Sequence, residues 1–192
     1  MNLAFSTENS FYDDCFDYTE KASIRLLETT SNTGGLCVVN YDPKEDLSYD
    51  HWVCSIVVAL GEAKVYVEAH FASKTARKVA ARALGMEEGK VSSSVLIDFM
   101  REYLNRIMGD IKDRYQSTEE QVSLPQVTPS YDRGVVQQEE YGLNHRNWKI
   151  CWSEGQIVLG CYAVSTGDVT NLFVKDTADT DTADDDSNID FF

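Results

Sequence analysis

The chain has 192 residues, 17 of them Lys or Arg and 32 Asp or Glu, so its formal net charge is −15. That length suits one domain with a single core, and a hydrophobic content of 43% is too high for a disordered chain. The acidic balance argues against nucleic acid or an anionic membrane surface as the main partner, since both require a basic footprint.

The cysteines, histidines and N-terminal residues narrow the class further. Five cysteines without a C-x-x-C pair and three scattered histidines give no zinc-binding spacing. The N-terminus has neither the positive segment nor the apolar run of a signal peptide, and no stretch is apolar enough to span a membrane. We therefore expect a cytoplasmic protein with reduced thiols and no metal site.

The first part of the chain predicts a helix. Ser10 and Asp13 have the three-residue spacing of a helix start, and apolar residues then recur at helical intervals as far as Leu27. Gly34 and Gly35 lie beyond the expected end of this helix.

Three strands are predicted next. The first covers residues 36–41. Residues 52–60 are almost continuously apolar, which is typical of a strand buried on both faces. Residues 64–71 alternate between polar and apolar, as in a half-exposed strand, and Gly61 lies in the turn between these two strands. This is the clearest hairpin of the sequence.

Two helices follow the hairpin. The first is predicted to be capped by Ser73 and stopped by Gly85. Its outer face carries the basic cluster of the chain, which is either a surface for an acidic partner or a solvated helix face; the cluster comprises Lys74, Arg77, Lys78 and Arg82. The second helix begins after the serines at 92–94 and extends to about Arg114.

The C-terminal part predicts further strands. Residues 122–127 contain Pro125, which indicates an edge position or a bulge. A polar loop at 131–145 leads to a hairpin, whose strands at 148–152 and 157–164 could bring Cys151 and Cys161 face to face. The order of elements predicts an α+β fold in which long helices pack on an antiparallel sheet.

The last residues differ in composition from the rest. Residues 176–192 contain seven Asp and no Lys or Arg, so we expect a domain at 1–175 and a flexible acidic tail after it. The tail ends in Phe191 and Phe192. It is either a solubilising segment or a short peptide that docks a partner.

The helix predicted at 95–113 carries a narrow polar stripe opposite its apolar face. Asp98, Glu102, Asn105 and Gly109 lie at i, i+4, i+7 and i+11, which places them on one side of the helix. Glycine inside a helix costs about 1 kcal/mol relative to Ala. We therefore expect another backbone to approach Gly109 closely, either within the fold or from a partner.

Glu102 and Asn105 have complementary chemistry. A carboxylate can dock a partner's ammonium group, and a carboxamide can orient a water molecule toward a phosphoryl group. Neither residue lies beside a nucleophile in the sequence. A solvated helix face remains the plain alternative.

Four elements in chain order give these two residues a context. Leu84-Gly85, Glu102-Tyr103-Leu104-Asn105, Gly109 and Leu124-Pro125 resemble the CheX/CheC family of chemotaxis phosphatases. The resemblance covers residues 73–130 and implies a CheC-like fold. It implies that the chain hydrolyses the aspartyl phosphate of a CheY-like receiver protein in chemotaxis or two-component signalling.

The resemblance also assigns roles to residues and partners. Glu102 would bind the receiver's active-site lysine, and Asn105 would enter its pocket and orient the attacking water. Asp98 and Gly109, on the same stripe, would contact the partner. The composition of the tail, rather than the resemblance, adds Phe191 and Phe192 as a further docking segment. Mg²⁺ would lie among the receiver's own carboxylates, so the chain needs no cofactor of its own.

CheC-like members carry two E-x-x-N copies, whereas here the first helix offers Glu20-Lys21-Ala22-Ser23, with Ser in the Asn position. One site per chain and a CheX-like homodimer are therefore implied. Two alternatives remain open: a non-catalytic module that binds a receiver, and an interaction module similar to the flagellar switch proteins.

Overall fold

A computed structural model describes residues 4–42, 51–116, 120–130, 144–167, 169 and 172–174. The helices are α1 (Ala4–Ser31), α2 (Ser73–Ala83) and α3 (Ser93–Arg114), with a 3₁₀ turn at Glu88–Lys90. The strands are β1 (Cys37–Asn40), β2 (His51–Leu60), β3 (Ala63–Ala72), β4 (Tyr115–Gln116), β5 (Glu120–Val122), β6 (Gln126–Ser130), β7 (Asn144–Trp152), β8 (Gly155–Ser165) and β9 (Phe173–Val174).

The main sheet is antiparallel throughout. Its strand order is β1-β7-β8-β3-β2-β5, and β6 also pairs with β2. Strands β4 and β9 form a separate two-stranded sheet. The predicted α+β class with an antiparallel sheet is confirmed.

The helices cover one face of the sheet. Alternate residues of β2, β3 and β8 point to that face and join the core with the apolar sides of all three helices, for example Ile56, Val67 and Cys161. No helix among the described residues is long and apolar enough to span a membrane.

The predicted hairpin of β2 and β3 is confirmed. The two strands pair from His51↔Ala72 to Leu60↔Ala63, and Gly61 adopts φ +59°, a conformation that glycine tolerates best. The expectation that β2 is buried on both faces is wrong in part. Ile56 and Val58 are buried under the helices, but Ser55 and Val57 on the other face are only half-buried.

Pro125 interrupts the strand predicted at 122–127. Two short strands, β5 and β6, pair with β2 on either side of residues 123–125. At the break, Ser123 donates its N–H to the carbonyl oxygen of Val57 at 2.9 Å and accepts the N–H of Val57 on its hydroxyl at 3.0 Å. Proline lacks an N–H for the ladder, and an edge strand tolerates that loss.

Two sequence predictions placed boundaries or partners wrongly. Helix α1 begins at Ala4, so Ser10 lies inside the helix and does not start it. Cys151 lies opposite Gln156 in β8 and opposite Cys37 in β1, while Cys161 is buried in the core, so the predicted pairing of Cys151 with Cys161 does not occur.

The expected boundary between domain and tail lies outside the described residues. So do the first thirteen residues of the loop expected at 131–145, since β7 begins at Asn144.

Candidate functional site

Helix α3 carries the candidate site, and its position in the fold follows from its sequence. The helix begins at Ser93, within the serines after which it was predicted to begin, and the Ser92 hydroxyl caps its N-terminus by accepting the N–H of Val95 at 3.3 Å. Every residue of the predicted apolar stripe is buried; the stripe comprises Leu96, Phe99, Met100, Tyr103, Leu104, Ile107, Met108 and Ile111. The opposite face of α3 therefore points away from the core.

That opposite face is the outward stripe of Asp98, Glu102, Asn105 and Gly109. Asn105 is exposed, and the Asp98 and Glu102 side chains keep 54% and 42% of their accessible surface. The structure thus brings together the four site residues that the sequence placed on α3. Phe191 and Phe192 lie outside the described residues.

Two arginines of α3 pair with the acids of the outward stripe. Arg106 Nε donates to Glu102 Oε1 at 2.9 Å, one helical turn away. Arg101 Nη1 lies 3.5 Å from Asp98 Oδ1. Arg106 was not among the residues predicted from the sequence, although its i+4 spacing from Glu102 indicates such a pair.

Gly109 has no packing role in the described part of the chain. A Cβ atom built at this position would meet nothing within 4 Å. The expected close approach of another backbone does not come from the fold described. A glycine in the interior of a helix therefore faces open space beside Asn105.

The seam between α1 and α3 holds the site helix in place. Tyr103 donates its hydroxyl to the carbonyl oxygen of Ser23 at 2.8 Å, and Arg25 Nη2 donates to Asp110 Oδ2 at 2.6 Å. Arg114 Nε donates to Asp14 Oδ2 at 2.9 Å. These bonds fix α3 against α1 along its length.

The fold shifts the pKa values of the two acids of this seam, Asp14 and Asp110, in opposite directions. Burial by itself would raise the pKa of Asp14, but hydrogen bonds from Arg114 and Tyr115 and the charge of Arg114 outweigh it, and the pKa lies below its usual value. For Asp110, burial is the largest influence and raises the pKa even though Arg25 favours the charged form.

Two of the four residues in the basic cluster of α2 form hydrogen bonds within the fold. Arg77 donates to the carbonyl oxygen of Val91 and to the Ser93 hydroxyl, and Arg82 donates to Glu154. Lys74 is exposed. Half of the cluster therefore stabilises the ends of neighbouring elements.

The sheet face away from the helices has two further features that could form a binding site, a cavity and a pair of histidines. A cavity of about 290 Å³ there is lined by Tyr66, Glu68 and Leu124 among others. The buried His70 lies 3.5 Å from Glu68, and its ring centroid is 5.8 Å from that of His51. No group of three metal-ligating side chains occurs in the parts of the chain that the structure describes.

The outward stripe has a limited chemical repertoire. Glu102 can accept hydrogen bonds from a cation, and Asn105 can both donate and accept. Both side chains project from a rigid helix. Such a stripe suits insertion into the site of another protein, where it would position groups that the partner holds.

The family comparison matches this region of the chain. The model of the chemotaxis phosphatase CheX family matches residues 53–141, which include all of α3. The resemblance to the CheX/CheC family is confirmed. No curated protein sequence matches this CheX-like chain.

Solved structures of CheX and CheC-like proteins share the fold at low identity. A chemotactic CheC-like protein from Shewanella oneidensis is 16% identical with a TM-score of 0.62, and CheX from Vibrio vulnificus is 12% identical with a TM-score of 0.61. Each match covers 79% of this chain and 99% of the other. A CheX–CheY–BeF₃–Mg²⁺ complex from Borrelia burgdorferi is 11% identical, with a TM-score of 0.60 over 77% of this chain and 96% of that one.

Proposed function

We propose that the chain is a phosphatase that hydrolyses the aspartyl phosphate of a CheY-like receiver protein. The observation that carries this proposal is the outward stripe of α3, with exposed Asn105 and half-exposed Glu102 inside the region that matches the CheX family. The CheX relative in complex with CheY, BeF₃ and Mg²⁺ supports a CheY-like partner.

The roles proposed for the two residues are those that the resemblance to the CheX/CheC family implies, and the chemistry of a carboxylate and a carboxamide suits them. The Glu102 carboxylate docks the ammonium group of the receiver's lysine. The Asn105 carboxamide enters the receiver's pocket, where its donor and acceptor orient a water molecule in line with the phosphorus atom. The water oxygen forms a bond to phosphorus while the bond between phosphorus and the aspartyl oxygen breaks. The carboxylate stays on the receiver, and the water's protons leave with inorganic phosphate.

The partner supplies the rest of the site. The receiver's own carboxylates would hold Mg²⁺, which would supply stabilisation of the developing charge, so this chain would need no cofactor and would contribute the positions of Glu102 and Asn105. One well-placed amide then accounts for much of the rate acceleration, because the receiver already holds the phosphoryl group and the metal.

The same proposal includes the surroundings of the site. Asp98 and Gly109 contact the receiver on either side of Glu102 and Asn105. The working form is a cytoplasmic homodimer joined through sheet edges, a way of pairing that strand edges readily offer.

The decay of a phosphorylated receiver from the same organism tests the activity. Wild-type protein should accelerate decay, and Asn105→Ala should remove about 100-fold or more of that acceleration, the usual loss when a donor to the reacting group is removed. Asn105→Asp keeps the shape but loses the donor, so it should fail as well. Asp113→Ala, an exposed change on the same helix, is the control and should keep full activity.

Binding separates the proposal from its alternatives. Unchanged decay together with measurable receiver binding would favour a non-catalytic module. Unchanged decay without binding to any receiver of the organism would leave a flagellar-switch-like interaction role and end the phosphatase proposal.

The acidic tail is a separate part of the proposal. We expect Phe191 and Phe192 to dock the receiver and to raise its local concentration near Asn105. Deleting residues 176–192 should then increase KM and leave kcat unchanged. An unchanged KM would reduce the tail to a solubilising segment.

A further inference from the structure

Arg106 is the less exposed member of the ion pair that includes Glu102. Its side chain keeps 21% of its accessible surface, against 42% for Glu102, and the Nε–Oε1 distance is 2.9 Å. The arginine is therefore partly buried and bonds the carboxylate from the neighbouring turn of the same helix. Glu102 forms the outward end of the pair.

The second ion pair of the outward stripe is built differently. Arg101 and Asp98 are 3.5 Å apart, and their side chains keep 45% and 54% of their surface. Pairs this exposed are weak and mobile. Of these two pairs of the outward stripe, the one at Glu102 has the shorter contact and the less exposed arginine.

The hydrogen bond leaves Glu102 able to bind a second cation. An ionised carboxylate has two oxygens and about four lone-pair sites, and Arg106 Nε occupies one site on Oε1. A lysine ammonium group can approach Oε2 while the arginine remains in place. Holding the carboxylate in advance lowers the entropy that docking would otherwise cost.

We infer that Arg106 is a positioning residue that holds the Glu102 carboxylate outward for the lysine of the receiver. This inference rests on the proposed function and names a residue that the E-x-x-N motif does not contain. In this proposal Arg106 contacts neither the phosphoryl group nor the water, so replacing it should change KM rather than kcat.

A competing effect has the opposite sign. The guanidinium charge also repels the incoming lysine and partly neutralises Glu102. If this effect dominated, removing the charge would strengthen docking. The sign of the change in KM therefore decides between positioning and competition.

The experiment measures KM and kcat for receiver dephosphorylation by the full chain. Arg106→Gln should raise KM about fivefold, because the Glu102 side chain would then lose its conformational entropy during docking. The value of kcat should stay within about twofold of wild type. Arg101→Gln is the matched control, with the same charge removed from the same helix, and should change KM by less than about twofold. Arg106→Lys keeps the charge without the planar fork and should fall between wild type and Arg106→Gln.

A double-mutant cycle distinguishes positioning from a general charge effect. When Glu102→Gln is already present, adding Arg106→Gln should not change KM further, because Arg106 then has no Glu102 carboxylate to position. Additive effects, a lower KM for Arg106→Gln, or an equal effect of Arg101→Gln would each overturn the inference.

The proposed activity can fail independently. If wild-type protein binds the receiver without accelerating its dephosphorylation, the phosphatase proposal fails. The role of Arg106 is then tested by measuring the Kd of each variant of the cycle for the phosphorylated receiver. If the receiver does not bind at all, the role of Arg106 falls with it.

Discussion

The two faces of α3 can be compared within one helix. On the inner face, each apolar side chain is buried against the sheet or α1, and the fold fully explains the choice of residue. On the outer face, Asn105 is exposed and Gly109 adjoins open space. The described part of the chain therefore does not explain the choice of these two residues, whereas the proposed contact with a receiver does.

The largest expected difference between the faces is in stability. Leu104→Ala should lower the free energy of unfolding by about 2–5 kcal/mol, because it opens a cavity in the core. Its neighbour Asn105→Ala should stay within about 0.5 kcal/mol of wild type, as a surface change normally does. Denaturant unfolding measures both. A loss of stability in Asn105→Ala similar to that in Leu104→Ala would remove the contrast between the faces.

The second expected effect concerns the seam that fixes α3. Asp14→Asn should cost about 1 kcal/mol at neutral pH, a value discounted for screening because the carboxylate is 33% exposed. Since folding lowers the pKa of Asp14, its contribution is present above the unfolded pKa and is lost as pH falls through the folded one. The stability gap between wild type and Asp14→Asn should therefore narrow below about pH 4, as thermal unfolding at several pH values would reveal.

Asp110→Asn is the control for that measurement. Folding raises the pKa of Asp110, so its ionised form is disfavoured in the fold and gains nothing from neutral pH. We expect no comparable loss of stability at neutral pH. Equal losses in both variants would contradict the opposite directions of the two pKa shifts.

Gly109→Ala should act with opposite signs on stability and on partner binding. Replacing a helix-interior glycine that faces open space should raise the free energy of unfolding by about 0.5–1 kcal/mol. The added methyl group should at the same time weaken association with the receiver several-fold. Unfolding curves and receiver titrations test the two halves. A variant that is more stable and binds normally would show that no partner approaches Gly109.

The smallest expected effect is at Asp98. Its pair with Arg101 is exposed, so Asp98→Asn should leave stability within about 0.3 kcal/mol of wild type. Association with the receiver should change by about twofold at low salt and converge on wild type at high salt, because an exposed charge acts mainly through a screened field. Association rates at two ionic strengths provide the measurement. An effect that persists at high salt would indicate a direct, desolvated contact.

Periodicity in the sequence predicted the elements that depend on local pattern. The apolar spacing predicted α3, the alternation of polar and apolar residues predicted β3, and Gly61 predicted the turn before it. These three predictions are confirmed because the side chains that determine each structure are close together in the sequence.

Features that depend on distant pairing were harder to predict. The position of Cys151 opposite Cys37 depends on β1 reaching β7, and no local pattern encodes that contact. The start of α1 was misplaced because Ser10 and Asp13 imitate a helix start inside a longer helix. The pair of Glu102 with Arg106 was visible as a spacing, but burial, which gives it meaning, came only from the fold.

The pairing of β1 with β7 also bears on the order in which the molecule assembles. Strands β2 and β3 and helices α2 and α3 follow one another directly, whereas Cys37 meets Cys151 across most of the chain. Closing so long a loop costs entropy that the contacts between β1 and β7 must offset, so we expect the β2–β3 hairpin, whose strands are adjacent in the chain, to form before β1 pairs with β7. The helix with Glu102 and Asn105 depends on a long-range contact as well, because Tyr103 is bonded to Ser23 across 80 positions of the sequence.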